Sequence, residues 1–391
     1  MNRSNRREFI KKVMLGSAGL ASAGFMFFWS NKVFLPGMQA KASRTSLGAS
    51  SMVFSSSKEA MFYRRYESKR VQCLLCPHKC SITDGGRGFC RVRANISGKL
   101  YSMVYGKPCT FDIGPIEKAP LYHFIPGHSR LCVATVGCNL RCKYCHNWHI
   151  SQRGPGEIRE FSVTPEQMVG EAFSRHVNSI SFTYTEPTVF YEYIYDISRI
   201  AQKEGLKVSI VSNGYINPEP MRKLLTYLDA VKIDLKAFSE HFYRDVSSAR
   251  LEPVLQTLKV LKEEKMFFEI VNLVVPTLND DADEIKRMCK WISTELGANV
   301  PVHFSRFVPT YKLSNLSSTP VRTLERAVSI AHDAGLKYVY IGNVPGHKYN
   351  STYCPKCEKR LIHRTHFSVL SNNIDDGRCN SCSYEIYGIW G

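Results

Sequence analysis

The sequence predicts an α/β fold, a partial (β/α)6-type barrel with an N-terminal cysteine-rich extension and a C-terminal four-cysteine domain. Three observations carry that expectation. From residue 131 onward, short β-rich runs alternate with amphipathic helical stretches. Fourteen cysteines in 391 residues fall mostly into three groups with metal-ligand spacing. An apolar fraction of 44% beside 22% charged residues is that of a packed core rather than a disordered chain.

Residues 131–136, 179–184, 208–213, 230–235, 268–275, 300–307 and 338–343 read as strands. Between them lie helix signals. Thr164-Pro165-Glu166-Gln167 pairs an N-cap threonine and an N1 proline with glutamine at N3. Leu251, Val254, Leu255, Leu258 and Leu261 share one helical face, and Glu204-Gly205 is a helix stop. Repeated strand–helix units imply parallel strands with right-handed crossovers, and about six of them make a barrel, complete or open. In such folds the chemistry sits beyond the C-terminal ends of the strands. No solenoid-type repeat is visible.

Residues 1–42 read as a twin-arginine-type signal or anchor. Arg6-Arg7-Glu8-Phe9-Ile10-Lys11 precedes a mildly apolar stretch at 13–29, and Ala40-Lys41-Ala42 offers a cleavage site. The stretch lacks the charged face of an amphipathic helix. It lies near the lower length limit for spanning a bilayer, so an uncleaved anchor is the alternative. Either form implies periplasmic or membrane-anchored export, with cytoplasmic retention as the rival. Polar, Ser-rich residues 43–67 read as a linker, 68–125 as the cysteine-rich extension, 126–345 as the barrel and 349–391 as the four-cysteine domain. The formal charge of +18 belongs partly to the leader and is otherwise spread without a long basic run. It reads as solvated faces and gives no nucleic-acid signal; membrane contact is expected only through an uncleaved leader. Cys109, Cys132 and Cys289 stand alone and read as small buried hydrophobes.

Cys138-Asn139-Leu140-Arg141-Cys142-Lys143-Tyr144-Cys145 follows the first of these strands. Three thiolates on one short loop can hold three corners of an iron–sulfur cubane, leaving one iron open because no fourth cysteine follows nearby. A zinc site and a redox disulfide are the bland alternatives, but C-x-x-x-C-x-x-C matches neither a common finger nor a ribbon. The C-terminal pair of C-x-x-C knuckles, Cys354/Cys357 and Cys379/Cys382, is a strong four-cysteine signal for a closed structural zinc ribbon remote from any chemistry. A single rubredoxin-like iron is the alternative there. Cys73, Cys76, Cys80 and Cys90, brought together by a turn at Gly85, Gly86 and Gly88, suit a structural zinc or a second iron–sulfur cluster. In an oxidising compartment disulfides are a further reading of both sets.

The central loop, with its aromatic Tyr144, resembles the signature of the radical S-adenosylmethionine (SAM) superfamily. Later segments extend the resemblance at successive strand ends. Tyr184-Thr185-Glu186-Pro187 is similar to the family's Gly-Gly-Glu motif with the glycines replaced. Ser212-Asn213-Gly214 is similar to a ribose-contacting segment. Asp234-Leu235-Lys236 resembles the residues that grip the amino-acid end of the cofactor in glycyl-radical activating enzymes. His303 is expected to line the same site. Cys73-Leu74-Leu75-Cys76-Pro77-His78-Lys79-Cys80, Pro115–Lys118, Leu121–Phe124, Pro301–Phe307 and Tyr338–Asn343 resemble the radical enzyme of the AmmeMemoRadiSam group. That group is similar to pyruvate formate-lyase activating enzymes.

The resemblance implies a radical SAM barrel and an enzyme. Its cofactors are a [4Fe–4S] cluster and S-adenosylmethionine, with Tyr144, Glu186, Ser212, Asn213, Asp234, Lys236 and His303 around the latter. It implies reductive cleavage to a 5′-deoxyadenosyl radical, hydrogen abstraction from an unknown substrate with a protein among the candidates, and a low-potential electron donor. A glycyl-radical activase is the functional rival. From another class comes a zinc-dependent binding module without catalysis, which would show no iron–sulfur absorption.

Overall fold

The computed structural model describes residues 57–391. The leader at 1–42 and residues 43–56 of the expected linker lie outside the described residues. Eight strands build the central sheet: β1 (Thr110–Pro115), β2 (Ser129–Ala134), β3 (Ser179–Phe182), β4 (Lys207–Ser212), β5 (Ala230–Asp234), β6 (Phe268–Val274), β7 (Val302–Arg306) and β8 (Val339–Gly342). Strands β2 to β8 run parallel in sequence order, and β1 joins the β2 edge antiparallel. Inward residues of β2, β4, β5, β6, β7 and β8 line one cavity, so the sheet is curved. Strands β8 and β1 do not pair, and the barrel is open.

The crossovers are α1 (Pro165–Ser174), α2 (Tyr191–Lys203), α3 (Pro218–Leu225), α4 (Glu252–Glu263), α5 (Ala282–Trp291) and α6 (Val321–Asp333). Six crossovers between seven parallel strands match the expected unit. The capping box of α1 is complete: Gln167 N–H donates to Thr164 Oγ1, and Thr164 N–H donates back to Gln167 Oε1. Helix α4 buries Val254, Leu255, Leu258 and Leu261 against the sheet core. Every residue of β3 and β8 is buried, as parallel strands covered on both faces require.

Two expectations need correction. Strand β1 was not foreseen, because Asp112 and Ile113 are exposed and the strand ends in Pro115, the pattern of an edge. Residues 57–67, read as linker, instead carry Lys58–Glu59 and Tyr63–Arg65. These strands enter two three-stranded antiparallel sheets with Arg93–Ile96, Lys99–Ser102, Val71–Cys73 and Ser81–Ile82. A fully buried bidentate pair ties this N-terminal unit to α2: Arg93 donates to both Glu192 oxygens at 2.8 and 3.0 Å. Removing one partner of such a pair costs about 3–5 kcal/mol, because the other charge is left buried.

The C-terminal unit consists of Thr352–Tyr353, Arg360–Thr365 and Ser368–Asn372 in one sheet, and Ile374–Asp375 with Arg378–Cys379 in another. Its Leu361, Ile362 and Ile386 form one hydrophobic cluster with Tyr122, Tyr338 and Tyr340, so its core is shared with the β8 edge of the barrel. No helix among the described residues is long and apolar enough to cross a membrane.

Candidate active site

A cavity of about 750 Å³ opens at the C-terminal ends of the strands. The loop that leaves β2 supplies its floor. Gly137 starts that loop at φ +95°, and a Cβ there would stand 2.5 Å from Val92 Cγ1 and 3.0 Å from the Cys90 carbonyl oxygen. Only glycine permits both the turn and that approach. The loop is then pinned on its far side: Arg141 N–H donates to Ser247 O at 2.9 Å, and Lys143 N–H to Val246 O at 3.0 Å.

Cys138, Cys142 and Cys145 all face the cavity, whose lining contains no fourth cysteine. Leu140 N–H points at Cys138 Sγ from 3.3 Å, and Ser151 Oγ lies 3.3 Å from Cys145 Sγ. Such donors are the outer-shell partners that a thiolate-bound metal centre uses. Burial pushes the Cys138 thiol well above the ordinary range and raises Cys145 as well. A thiolate is therefore costly here without a cation to bind it.

Lys232, Asp234 and Lys236 alternate along β5 and its continuation, so the pleat turns all three to the cavity. Both ammoniums grip the carboxylate: Lys232 Nζ donates to Oδ1, and Lys236 Nζ to Oδ2 at 3.0 Å. Burial alone would raise the Asp234 pKa, but the two lysines override it and hold it at about 2. Lys236 also lies over the Tyr144 ring, 5.9 Å from its centroid. Sequence reading named Asp234 and Lys236 and missed Lys232, although the Lys-x-Asp-x-Lys alternation was a signal for it.

Glu186 faces the cavity from the loop after β3 but is already committed. Its oxygens accept from Thr188 N–H, Thr188 Oγ1, Ser212 Oγ and Asn213 N–H at 2.7–3.0 Å. These bonds join the ends of β3 and β4. Just before it, Tyr184 takes φ +66°, the left-handed conformation that glycine adopts freely. Asn213 lines the cavity and donates to Asn139 Oδ1 at 2.9 Å.

Two residues expected around the cofactor do not line the cavity. Ser212 does not line the cavity, because its hydroxyl is turned to Glu186. His303 is fully buried near the start of β7, away from the C-terminal end, and its Nε2 donates to Glu269 Oε2 at 2.7 Å. Ser305, two residues on, takes the cavity position instead.

The far wall carries Lys118, from a segment quoted only for its resemblance, and Arg130, His366 and Phe367, which no motif announced. Arg130 is 1% exposed, and its Nη1 has no hydrogen-bond partner. His366 and Phe367 form the tip of the C-terminal hairpin. The expectation of a tail remote from the chemistry is therefore corrected. In that tail Cys354, Cys357, Cys379 and Cys382 bring their sulfurs within 4.8 Å of one another and could hold a metal.

Three cysteines thus share one cavity at the C-terminal end of an open parallel barrel, where such folds place their chemistry. Residues 132–292 match the radical SAM superfamily model. An uncharacterized protein of Methanocaldococcus jannaschii is 46% identical over 331 residues, which is 84% of this chain and 98% of that protein. The pyruvate formate-lyase 1-activating enzyme of Escherichia coli is 25% identical over 222 residues, 52% of this chain and 89% of the enzyme. A solved domain of pyruvate-formate lyase-activating enzyme from Bacteroides vulgatus is 16% identical at a TM-score of 0.37, covering 42% of this chain and 98% of that one. Residues 132–292 form a radical SAM domain. Such a domain implies a [4Fe–4S] cluster and S-adenosylmethionine, and the residues present fit both: three cavity thiols with one corner unprovided, beside paired cationic and anionic side chains.

Proposed function

We propose that the chain is a radical SAM enzyme of the activating-enzyme type, abstracting hydrogen from a substrate held at the barrel mouth. The observation that carries this reading is one cavity shared by three cysteines, with no fourth, and the Lys232–Asp234–Lys236 array. When bound, the cluster and S-adenosylmethionine supply reductive cleavage of the cofactor and a 5′-deoxyadenosyl radical. Cys138, Cys142 and Cys145 would hold the cluster. Asp234 would accept hydrogen bonds from the methionyl ammonium, and Lys236 or Lys232 would pair with its carboxylate. Asn213, the cavity-lining side chain of the Ser212–Gly214 segment, would meet the ribose. Lys118, Arg130, His366 and Phe367 form the wall left for substrate, and the Tyr144 ring keeps water from Lys236.

The similarity to activating enzymes supports a protein substrate, and the narrower AmmeMemoRadiSam reading rests on the segments quoted above. A low-potential one-electron donor completes the reaction. The Arg6-Arg7 leader supports export of a chain already folded and loaded. We assign zinc to the C-terminal set, because its closest sulfur pairs, at 3.5 and 3.7 Å, suit one tetrahedral ion.

Anaerobic reconstitution with a chemical reductant tests the assignment. Wild type should convert S-adenosylmethionine to 5′-deoxyadenosine, and Cys138→Ala, Cys142→Ala or Cys145→Ala should each abolish it. Full cleavage by the triple variant, or a wild type without iron–sulfur absorption, would overturn the reading.

A further inference from the structure

Cys73, Cys76, Cys80 and Cys90 have no part in the reaction proposed above. Cys73 ends the strand Val71–Cys73, Cys76 and Cys80 flank the next turn, and Cys90 precedes Arg93–Ile96. All four line one small apolar cavity, with Leu75 and Val189 among its walls. Its free volume is only about 20 Å³, so the walls must part to admit a multi-iron cluster.

Sulfur spacing distinguishes this set from the C-terminal one. A single tetrahedral ion with bonds of about 2.3 Å holds its thiolates about 3.8 Å apart. The C-terminal sulfurs meet that requirement at 3.5 and 3.7 Å. Among the described residues, no three of the N-terminal thiols gather at single-ion spacing, and neither do the three cavity cysteines. Four thiols around one cavity, held wider than one ion allows, suit the corners of a four-iron cubane. Main-chain N–H groups also point at each sulfur: Phe89 at Cys80 from 3.4 Å, and Leu75, His78 and Val92 at Cys73, Cys76 and Cys90. Buried Arg93 sets a positive charge beside Cys73 and Cys90. Hydrogen bonds to sulfur and nearby charge are what tune such clusters.

We propose that Cys73, Cys76, Cys80 and Cys90 hold a second [4Fe–4S] cluster, beside the loop that carries Cys138, Cys142 and Cys145. Three contacts join the two places. Gly137 packs on the Cys90 carbonyl, His78 Nε2 meets the Asn139 carbonyl at 2.8 Å, and Arg141 donates to the carbonyls of both Phe89 and Cys138. With four protein thiolates this cluster has no open iron, so it binds no substrate. Its chemistry is confined to gaining and losing one electron. That the electron would serve the cavity cluster rests on the radical reading; the presence of the cluster does not.

The test is metal analysis and low-temperature EPR of the full chain, reconstituted anaerobically with iron and sulfide. The Cys138→Ala/Cys142→Ala/Cys145→Ala variant should keep half the parent's iron and acid-labile sulfide, and show a cubane signal on reduction. Cys76→Ala/Cys80→Ala should lose the other half and keep the signal of the cavity cluster. Should that variant not fold, the iron retained by the cavity variant decides alone. Zinc in place of iron at the N-terminal set of the cavity variant, or no metal there, would overturn the proposal. Failure of the radical reading would look different: both clusters present, and no cleavage of S-adenosylmethionine.

Discussion

Lys232, Asp234 and Lys236 form a charge array in which each lysine needs the carboxylate and the carboxylate needs both lysines. Asp234→Asn leaves two buried ammoniums facing each other without a counter-ion. We expect it to destabilise the fold by about 3–5 kcal/mol, read as a fall in the denaturation midpoint, and to weaken S-adenosylmethionine binding. Lys236→Ala should weaken cofactor binding by titration while the iron content stays at the parent level. Proton linkage gives a further expectation. The Asp234 pKa is depressed from 3.8 to about 2, so its stabilising charge is fully present above the unfolded value and is lost only as pH falls through about 2. Cofactor affinity should therefore show no acid limb from this residue between about pH 5 and about pH 8. A limb there that Asp234→Asn removes would contradict the array. Arg130 is a different case: it falls just before the strand read at 131–136, and only folding set its unpaired guanidinium nitrogen on the cavity wall.

The C-terminal hairpin joins metal binding to the cavity. Its two strands, Arg360–Thr365 and Ser368–Asn372, carry His366 and Phe367 at the turn, and the four cysteines hold its base. Arg364 is buried within it and donates to Thr352 Oγ1 at 2.7 Å and to the Tyr122 carbonyl at 2.6 Å. Cys379→Ser should release one metal ion per chain and also lower substrate-dependent turnover, since the tip loses its support. Loss of the metal with turnover per cluster unchanged would restore the picture of an independent tail. The cysteine spacing was legible from the sequence. The reach of the hairpin was not, because Arg360–Arg378 reads only as a stretch long enough to turn back.

Across the whole molecule, a chain of hydrogen bonds links the C-terminal unit to the barrel interior. Arg364 donates to Thr352, whose hydroxyl donates to Tyr340, which donates to His123 Nε2; His123 Nδ1–H then donates to the Tyr387 carbonyl. That order requires a neutral His123. Burial pushes its pKa from 6.5 down to about 4, against the pull of Glu269. The unfolded chain then binds a proton that the folded chain refuses, so stability falls as pH drops from about 6.5 to about 4. Thermal unfolding should show a declining midpoint across that window, and His123→Gln should flatten the decline. An equally steep decline in that variant would place the effect elsewhere. Leu121-Tyr122-His123-Phe124 was quoted in the sequence only as a point of resemblance, and nothing local to it announces partners more than 200 residues away.

The sequence by itself determined the run of parallel strands, three of the crossover helices and the grouping of the cysteines, because each is a local pattern: alternation, periodicity, caps and short-range spacing. It also placed Asp234 and Lys236 at a strand end, where a barrel puts its chemistry. Tertiary structure alone decided that β1 closes one edge, that His303 and Ser212 turn away from the cavity, and that the tail supplies part of its wall. It also decided how far apart each set of thiols stands. Those outcomes depend on which face of an element meets a distant partner and at what distance, and no run of neighbouring residues encodes that by itself.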